Sequence, residues 1–368
     1  MDDYSERGSD SDSRAGSIFS NSSEDRNLIL QEIFGRTINS TNEHYMLPGQ
    51  CEAPYLTQDS GFISSLPVIW VVSADAPEHK RLDIQHEMLK QKLGGLYPRE
   101  VASDVRRMMS QQASEDEPPP AAIDIGTGSG SWAIEMARQF PNAEITGMDI
   151  VPANSDHEIP SNCSFECDDA NLGFGHYPEC FDVVHARAVS SGISNYPEFL
   201  KDVWGILRPG GLFLAIEGNV GLFNKDFEPI TTTDENHPDF SWMQVMMLSA
   251  REAQINRGSD VNAGINIVGW IDDMGEVWRN KGHFVFYIPV GPWEEPATSK
   301  ERFIGILMRQ NSLRFMGAVK PLLLSNGVPQ ETVDHWNVMA EDELRSGRTK
   351  TYTRWTCTWA FKAVTDEE

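Results

Sequence analysis

The sequence predicts an α/β fold: a seven-stranded, mostly parallel sheet with an antiparallel last strand, helices on both faces, and a helical cap on the N-terminal side. Three observations carry this prediction. From Ala121 to Glu217, short apolar runs alternate with amphipathic ones, as in a parallel sheet with right-handed crossovers. A glycine-rich turn, Gly126-Thr-Gly128-Ser-Gly130, joins the first of these strands to the first helix. Near the chain end, Thr349–Phe361 alternates strictly after a helical excursion, which fits a final strand paired antiparallel at the sheet edge.

The elements follow in order. Met1–Ser23 is acidic and rich in Ser, Asp and Gly, and is expected to be disordered. Residues 24–120 are expected to form the cap. Within it, Arg26–Phe34 is apolar enough for a short helix, and Ala76–Leu93 reads as a helix stopped by Gly94-Gly95. Residues 49–73 read as an atypical insertion, a lineage-specific loop or an intron retained in the coding sequence, and Gln111–Pro120 as an acidic linker. Residues 121–368 form the third unit. Ala121–Ile125, Glu144–Ile150, Cys163–Cys167, Phe181–Ala186 and Leu212–Glu217 read as strands. Ser131–Phe140 and Pro197–Leu207 read as helices between them, the second stopped by Arg208-Pro-Gly-Gly211. Beyond Gly218, Asp239–Ile255, Ile267–Asn280, Lys300–Val319 and Gln330–Arg345 look helical, and His283–Val290 is a strand.

Composition narrows the function. Of 368 residues, 40% are hydrophobic, enough for a core, and the net charge is −25. Such a surface repels phosphate backbones and anionic membranes, so no direct nucleic-acid or membrane partner is expected. The five cysteines form no C-x-x-C pair, and Cys163 and Cys167 have no zinc-spaced companions, so no metal site is expected. The N-terminus lacks the basic and apolar regions of a signal peptide, and runs such as Leu66–Val72 are far too short to span a bilayer. The expected location is the cytoplasm or nucleus.

The glycine turn is the chemical centre. Glycines at a strand end let the backbone turn sharply and approach a ligand, at the edge where open α/β sheets bind ligands. A bare G-x-G-x-G is also an ordinary tight turn, so its neighbours decide. Asp149 ends the next strand, where a carboxylate can hold ribose hydroxyls. Ser131 stands where a dinucleotide motif would carry its third glycine, and no Gly-Lys-Ser/Thr follows, so a P-loop is excluded and a nicotinamide-dependent oxidoreductase is disfavoured. Asp124, just before the loop, would repel a phosphate and suits an amino group. Asp168-Asp169-Ala170 follows the third strand, placed to accept a bond from an adenine amine, although an acidic turn there could be merely solvated. His185 and Arg187 end the fourth strand.

With these residues in hand, DIGTGSGSWAIEMA, GMDI, FECDDA, FDVVHARAVSSGISNYPEFL and LRPGGLF together resemble the class I S-adenosylmethionine (SAM)-dependent methyltransferases of the fungal TAM-domain, LaeA-like group. The resemblance covers about Asn42 to Gly218 well and the last third more loosely. It implies a Rossmann-like methyltransferase fold, SAM as cofactor, and a role in secondary metabolism. The acceptor would be a small molecule, or the protein would regulate through protein partners. Tyr45-Met-Leu-Pro48 and the Glu78–His86 helix resemble the family's cap, which implies that Tyr45, Arg81, Gln85 and His86 lie near the cofactor. The same resemblance draws Asp124, Gly126, Thr127, Gly128, Gly130, Asp149, Ile150, Asp168, Asp169, Ala170 and His185 to SAM. A surface helix needs no ligand to explain it, so simple amphipathic packing is the competing account of the cap.

SAM carries the activated methyl, so a base is needed only where the acceptor must lose a proton early. His185, Glu217 and His237 are the candidates by position. The acceptor pocket should come from the region after Gly218, which holds Phe223, Phe227, Phe240, Trp242, Met243, Met246 and Met247. Such residues more often fill cores than line pockets.

Overall fold

The computed structural model describes residues 30–33, 36–39, 72–73, 76–112, 118–151, 158–295 and 297–364. The expected acidic tail and most of the 49–73 stretch lie outside them. Near the N-terminus, β1 (Leu30–Ile33), β2 (Arg36–Asn39) and β3 (Val72–Ser73) form a small antiparallel sheet. Over Leu30–Ile33 this corrects the helix expected across Arg26–Phe34, whose other residues lie outside the described ones. The β-branched Ile33, Thr37 and Ile38 favour extended backbone.

The cap helix α1 spans Ala76–Leu93, and α2 spans Ala102–Met109. The sheet then begins with β4 (Ala121–Ile125), α3 (Ser131–Gln139), β5 (Glu144–Asp149), β6 (Cys163–Cys167) and β7 (Phe181–Arg187). It continues through α4 (Tyr196–Ile206) and β8 (Leu207–Gly218). Asn195 caps α4 by accepting from the Glu198 amide, and Pro197 sits in the first turn, where no amide partner is lost. Next come α5 (Trp242–Asn256), α6 (Ala263–Asp273), β9 (Trp278–Pro289), α7 (Ser299–Ser325), α8 (Gln330–Ser346) and β10 (Tyr352–Lys362).

The main sheet has the order β6-β5-β4-β7-β8-β10-β9. β4 to β8 pair in parallel, and β10 runs antiparallel to both β8 and β9, as the strict alternation near the chain end predicts. Alternate side chains feed two cores. Ala122, Val183, Leu212, Leu214 and Ile216 pack on the side of α1–α3, α5, α7 and α8. Ile123, Ile125, Val184, Ala186, Phe213 and Ala215 pack on the side of α4 and α6.

Some boundaries differ. β8 begins at Leu207 rather than Leu212, because Gly210 takes φ +78° and lets the strand absorb a register shift opposite β7. The helix expected over Ile267–Asn280 stops at Asp273: Gly275 turns left-handed at φ +71°, and the aromatic run enters β9 at Trp278. α7 continues past Val319 to Ser325 and contains Pro321. Among the described residues, no helix is long and apolar enough to cross a membrane.

Candidate cofactor site and cavity

The glycine loop lies between β4 and α3. Gly126, Gly128 and Gly130 all have left-handed φ, at +67°, +58° and +77°. Space is as restrictive as conformation. A Cβ on Gly126 would lie 2.5 Å from Val189 Cγ1, and one on Gly128 2.8 Å from Leu82 Cδ1 of the cap helix. The loop is held from below by two acids. Asp124 accepts from Thr127 Oγ1 at 2.7 Å, and Asp149 Oδ2 accepts from the Gly128 amide at 2.8 Å. The Thr127 amide donates to the Met148 carbonyl at 2.9 Å.

The structure corrects the expectation that Asp124 meets a ligand amine. Its other oxygen, Oδ1, lies 2.6 Å from His185 Nδ1, and both side chains are buried. His185 stacks on Trp132, with ring centroids 4.1 Å apart and planes 5° apart. Burial holds the imidazole below its ordinary pKa, so it is a neutral donor to Asp124. Neither residue lines the cavity; together they brace the loop. Thr127 and Gly130 likewise belong to the loop's framework and not to the cavity wall, Gly130 because it packs over Phe165.

The cavity runs across the C-terminal ends of β4, β5, β7 and β8. One side is walled by Gly126, Gly128, Asp149, Ile150, Asp168, Asp169 and Ala170. Asp149 Oδ1 also accepts from the Val151 amide at 3.2 Å, and burial pushes its carboxyl up to about 6. Asp168 pairs with His176 at 3.1 Å, and Asp169 Oδ1 accepts from the Asn171 amide and side chain.

The cap contributes Arg81, Leu82 and Gln85 to this cavity. α1 buries Glu78, His79, Arg81 and His86 beside its apolar residues, which simple amphipathic packing does not explain. Arg81 donates to both Glu78 oxygens and, through Nη1, to Asn311 at 3.1 Å. His86 is buried behind the wall, with Nε2 3.3 Å from Glu135 and Nδ1 3.2 Å from Arg187 Nη2. It supports the wall without lining it. Tyr45 lies outside the described residues.

The opposite wall is apolar: Met243, Met247, Met308, Phe315 and Trp355, with Asn311, Ser312 and Thr353 among them. The Met308 sulfur accepts weak bonds from Ser312 and Thr353 hydroxyls at 3.7 and 3.9 Å. Of the residues expected here, Met243 and Met247 line the cavity, whereas Met246 is core. Phe223 packs against Tyr287, Phe227 stacks on it, and Phe240 packs edge-on against Trp242.

The three candidate bases separate. Glu217 is fully buried and borders the cavity; Oε1 accepts from the Val189 amide and the Tyr196 hydroxyl, each at 3.1 Å. Burial pushes its carboxyl up to about 7. His185 is enclosed beneath the loop. His237 sits exposed on the segment before α5, accepting from the Asp239 amide, and the structure removes it from the site. Sequence reasoning placed Arg187 at a strand end without giving it a role, and passed over Asn311, Thr353 and Trp355. Their convergence is long-range and leaves no local spacing to read.

Comparison with known proteins agrees with this geometry. A family model for the methyltransferase domain matches residues 96–249. The secondary metabolism regulator laeA of Coprinopsis cinerea is 29% identical over 299 residues, 79% of this chain and 70% of that protein. Methyltransferase pytC of Aspergillus terreus is 30% identical over 193 residues, 52% of this chain and 55% of its own length. The protein-methionine methyltransferase laeA of Emericella nidulans is 26% identical over 163 residues, 44% of this chain and 38% of its own. The chain thus spans little more than half of pytC and less than half of the Emericella protein. Sheet order, glycine loop and domain match define a class I SAM-dependent methyltransferase. Within that class the chain is similar to the LaeA-like group.

Proposed function

We propose that the chain transfers the methyl group of SAM to a neutral, mainly apolar small molecule of fungal secondary metabolism. The observation that carries this is the continuity of one cavity. It joins the loop and acids at the ends of β4–β6 to a group of thioethers and aromatics, and of its two arginines Arg81 is already engaged by Glu78 and Asn311. The loop side suits SAM. Left-handed glycines let backbone come close to a ligand, Asp149 would offer its remaining lone pairs to ribose hydroxyls, and Asp168 and Asp169, which line the same cavity, would accept from an adenine amine.

SAM supplies the electrophilic methyl on its sulfonium. The protein's share is alignment and exclusion of water; holding two reactants in line lowers the barrier by up to ~7–11 kcal/mol. Met243, Met247, Met308 and Trp355 would hold the acceptor's apolar body, and Asn311 and Ser312 would orient a polar group. Glu217, near neutrality, would take a proton where the acceptor must lose one.

A second reading is supported by the name of the Coprinopsis relative: a regulator that acts through protein partners. Incubation with methyl-labelled SAM and a fungal metabolite extract separates the two. Label in an organic-soluble product, lost in Asp149→Ala, is the expected outcome. Label confined to protein, or none while SAM binds, would defeat the small-molecule reading.

A further inference from the structure

One charge in the cavity wall is not used by the functions assigned above. Arg187 ends β7 and lines the same cavity as Gly126, Arg81 and Gln85. The two arginines differ. Arg81 is engaged by Glu78 and Asn311. Arg187 has no carboxylate within 4.0 Å among the described residues, and its protein hydrogen bond is to His86 Nδ1. His86 is itself held below its ordinary pKa by burial and is neutral, so it returns no charge. Asp124 and Glu135 act on Arg187 only from farther off, and its surroundings desolvate it enough to lower its proton affinity.

A guanidinium has five N–H donors in a planar fork that matches a carboxylate in a two-bond arrangement. Leaving such a cation desolvated and uncompensated is unfavourable, and a ligand anion removes the penalty. Among ligands the cavity would admit, the cofactor brings a carboxylate with it, on the methionine end that must lie near the glycine loop. We infer that Arg187 is the receptor for a ligand carboxylate, and that this carboxylate is the one on the methionine moiety of SAM. The inference rests on the reading of the cavity as a SAM site. His86 then has a defined part: with Nε2 toward Glu135, its Nδ1 accepts from Arg187 and aims the fork without neutralising it.

The test compares SAM with decarboxylated SAM, which lacks only that group, by calorimetry on wild type, Arg187→Met and Arg187→Lys. The ratio of the two affinities within one protein is insensitive to how much of a variant is folded. Wild type is expected to prefer SAM by roughly 10- to 150-fold, the range for a hydrogen-bonded charged pair. In Arg187→Met the preference should collapse to within about threefold, and Arg187→Lys should recover part of it. An unchanged preference in Arg187→Met overturns the inference, since the carboxylate would then be held elsewhere. An equal loss of affinity for both ligands overturns it too, because it marks a purely structural role. If wild type binds neither ligand, the reading of the cavity as a SAM site falls first, an outcome distinct from these two.

Discussion

Replacing Glu217 with Gln should flatten the dependence of stability on pH, and the size of the change follows from its burial. The carboxyl is pushed from an ordinary 4.5 to about 7 because the ionised form loses hydration. Between those values the folded protein holds a proton that the unfolded chain has released. Stability therefore falls as pH rises from about 4.5 to about 7 and is level above that. At 1.36 kcal/mol per pKa unit, the loss is ~3 kcal/mol. With an unfolding entropy of about 2.1 cal/mol/K per residue, this corresponds to ~4 °C in Tm for a chain of this size unfolding in one step. Gln keeps an oxygen to accept from Val189 and Tyr196 but cannot ionise. Melting curves of wild type and Glu217→Gln from pH 4.5 to 8.5 would be compared by slope, so that any constant offset cancels. Curves that run parallel across the range would refute the reasoning.

Two further substitutions probe the two walls. Asp149→Ala should weaken SAM binding at least tenfold by calorimetry, since the variant lacks both the ribose acceptor and the brace on the Gly128 amide. In wild type the same affinity should decline below about pH 6, as the raised Asp149 carboxyl takes a proton and loses an acceptor. Met308→Leu preserves volume while removing the sulfur that Ser312 and Thr353 address, so it should raise KM for the acceptor several-fold and leave SAM affinity unchanged. A parallel loss of SAM affinity would show that the thioether wall is not separate from the cofactor.

The legible part of the molecule is the part written locally. The runs that become β4 to β7, the glycines between β4 and α3, and the acids at the ends of β5 and β6 stand close in sequence to the turns they serve. Asp124 shows the limit of such reading. A carboxylate before the loop is visible, but its direction is set by Thr127 three residues on and by His185 on the neighbouring strand. The Leu30–Ile33 run reads by composition as part of a helix, yet it pairs antiparallel with Arg36–Asn39, where β-branched Thr37 and Ile38 favour extended backbone. The apolar wall was less legible still. Met243, Met308 and Trp355 come from α5, α7 and β10, and aromatic and Met-rich segments read as core until the fold shows which of them face a space.

The bond from Arg81 to Asn311 has a consequence for how the two ends of the cavity depend on each other. α1 covers the glycine loop through Leu82 and packs against α7, and α7 carries Asn311 and Met308 of the apolar wall, so the Arg81–Asn311 bond is one tie between the roof over the loop and the far end of the cavity. A change made at Asn311 should therefore be felt at the loop. Asn311→Ala is expected to weaken SAM binding several-fold by calorimetry, and an unchanged affinity would show that the two ends are independent.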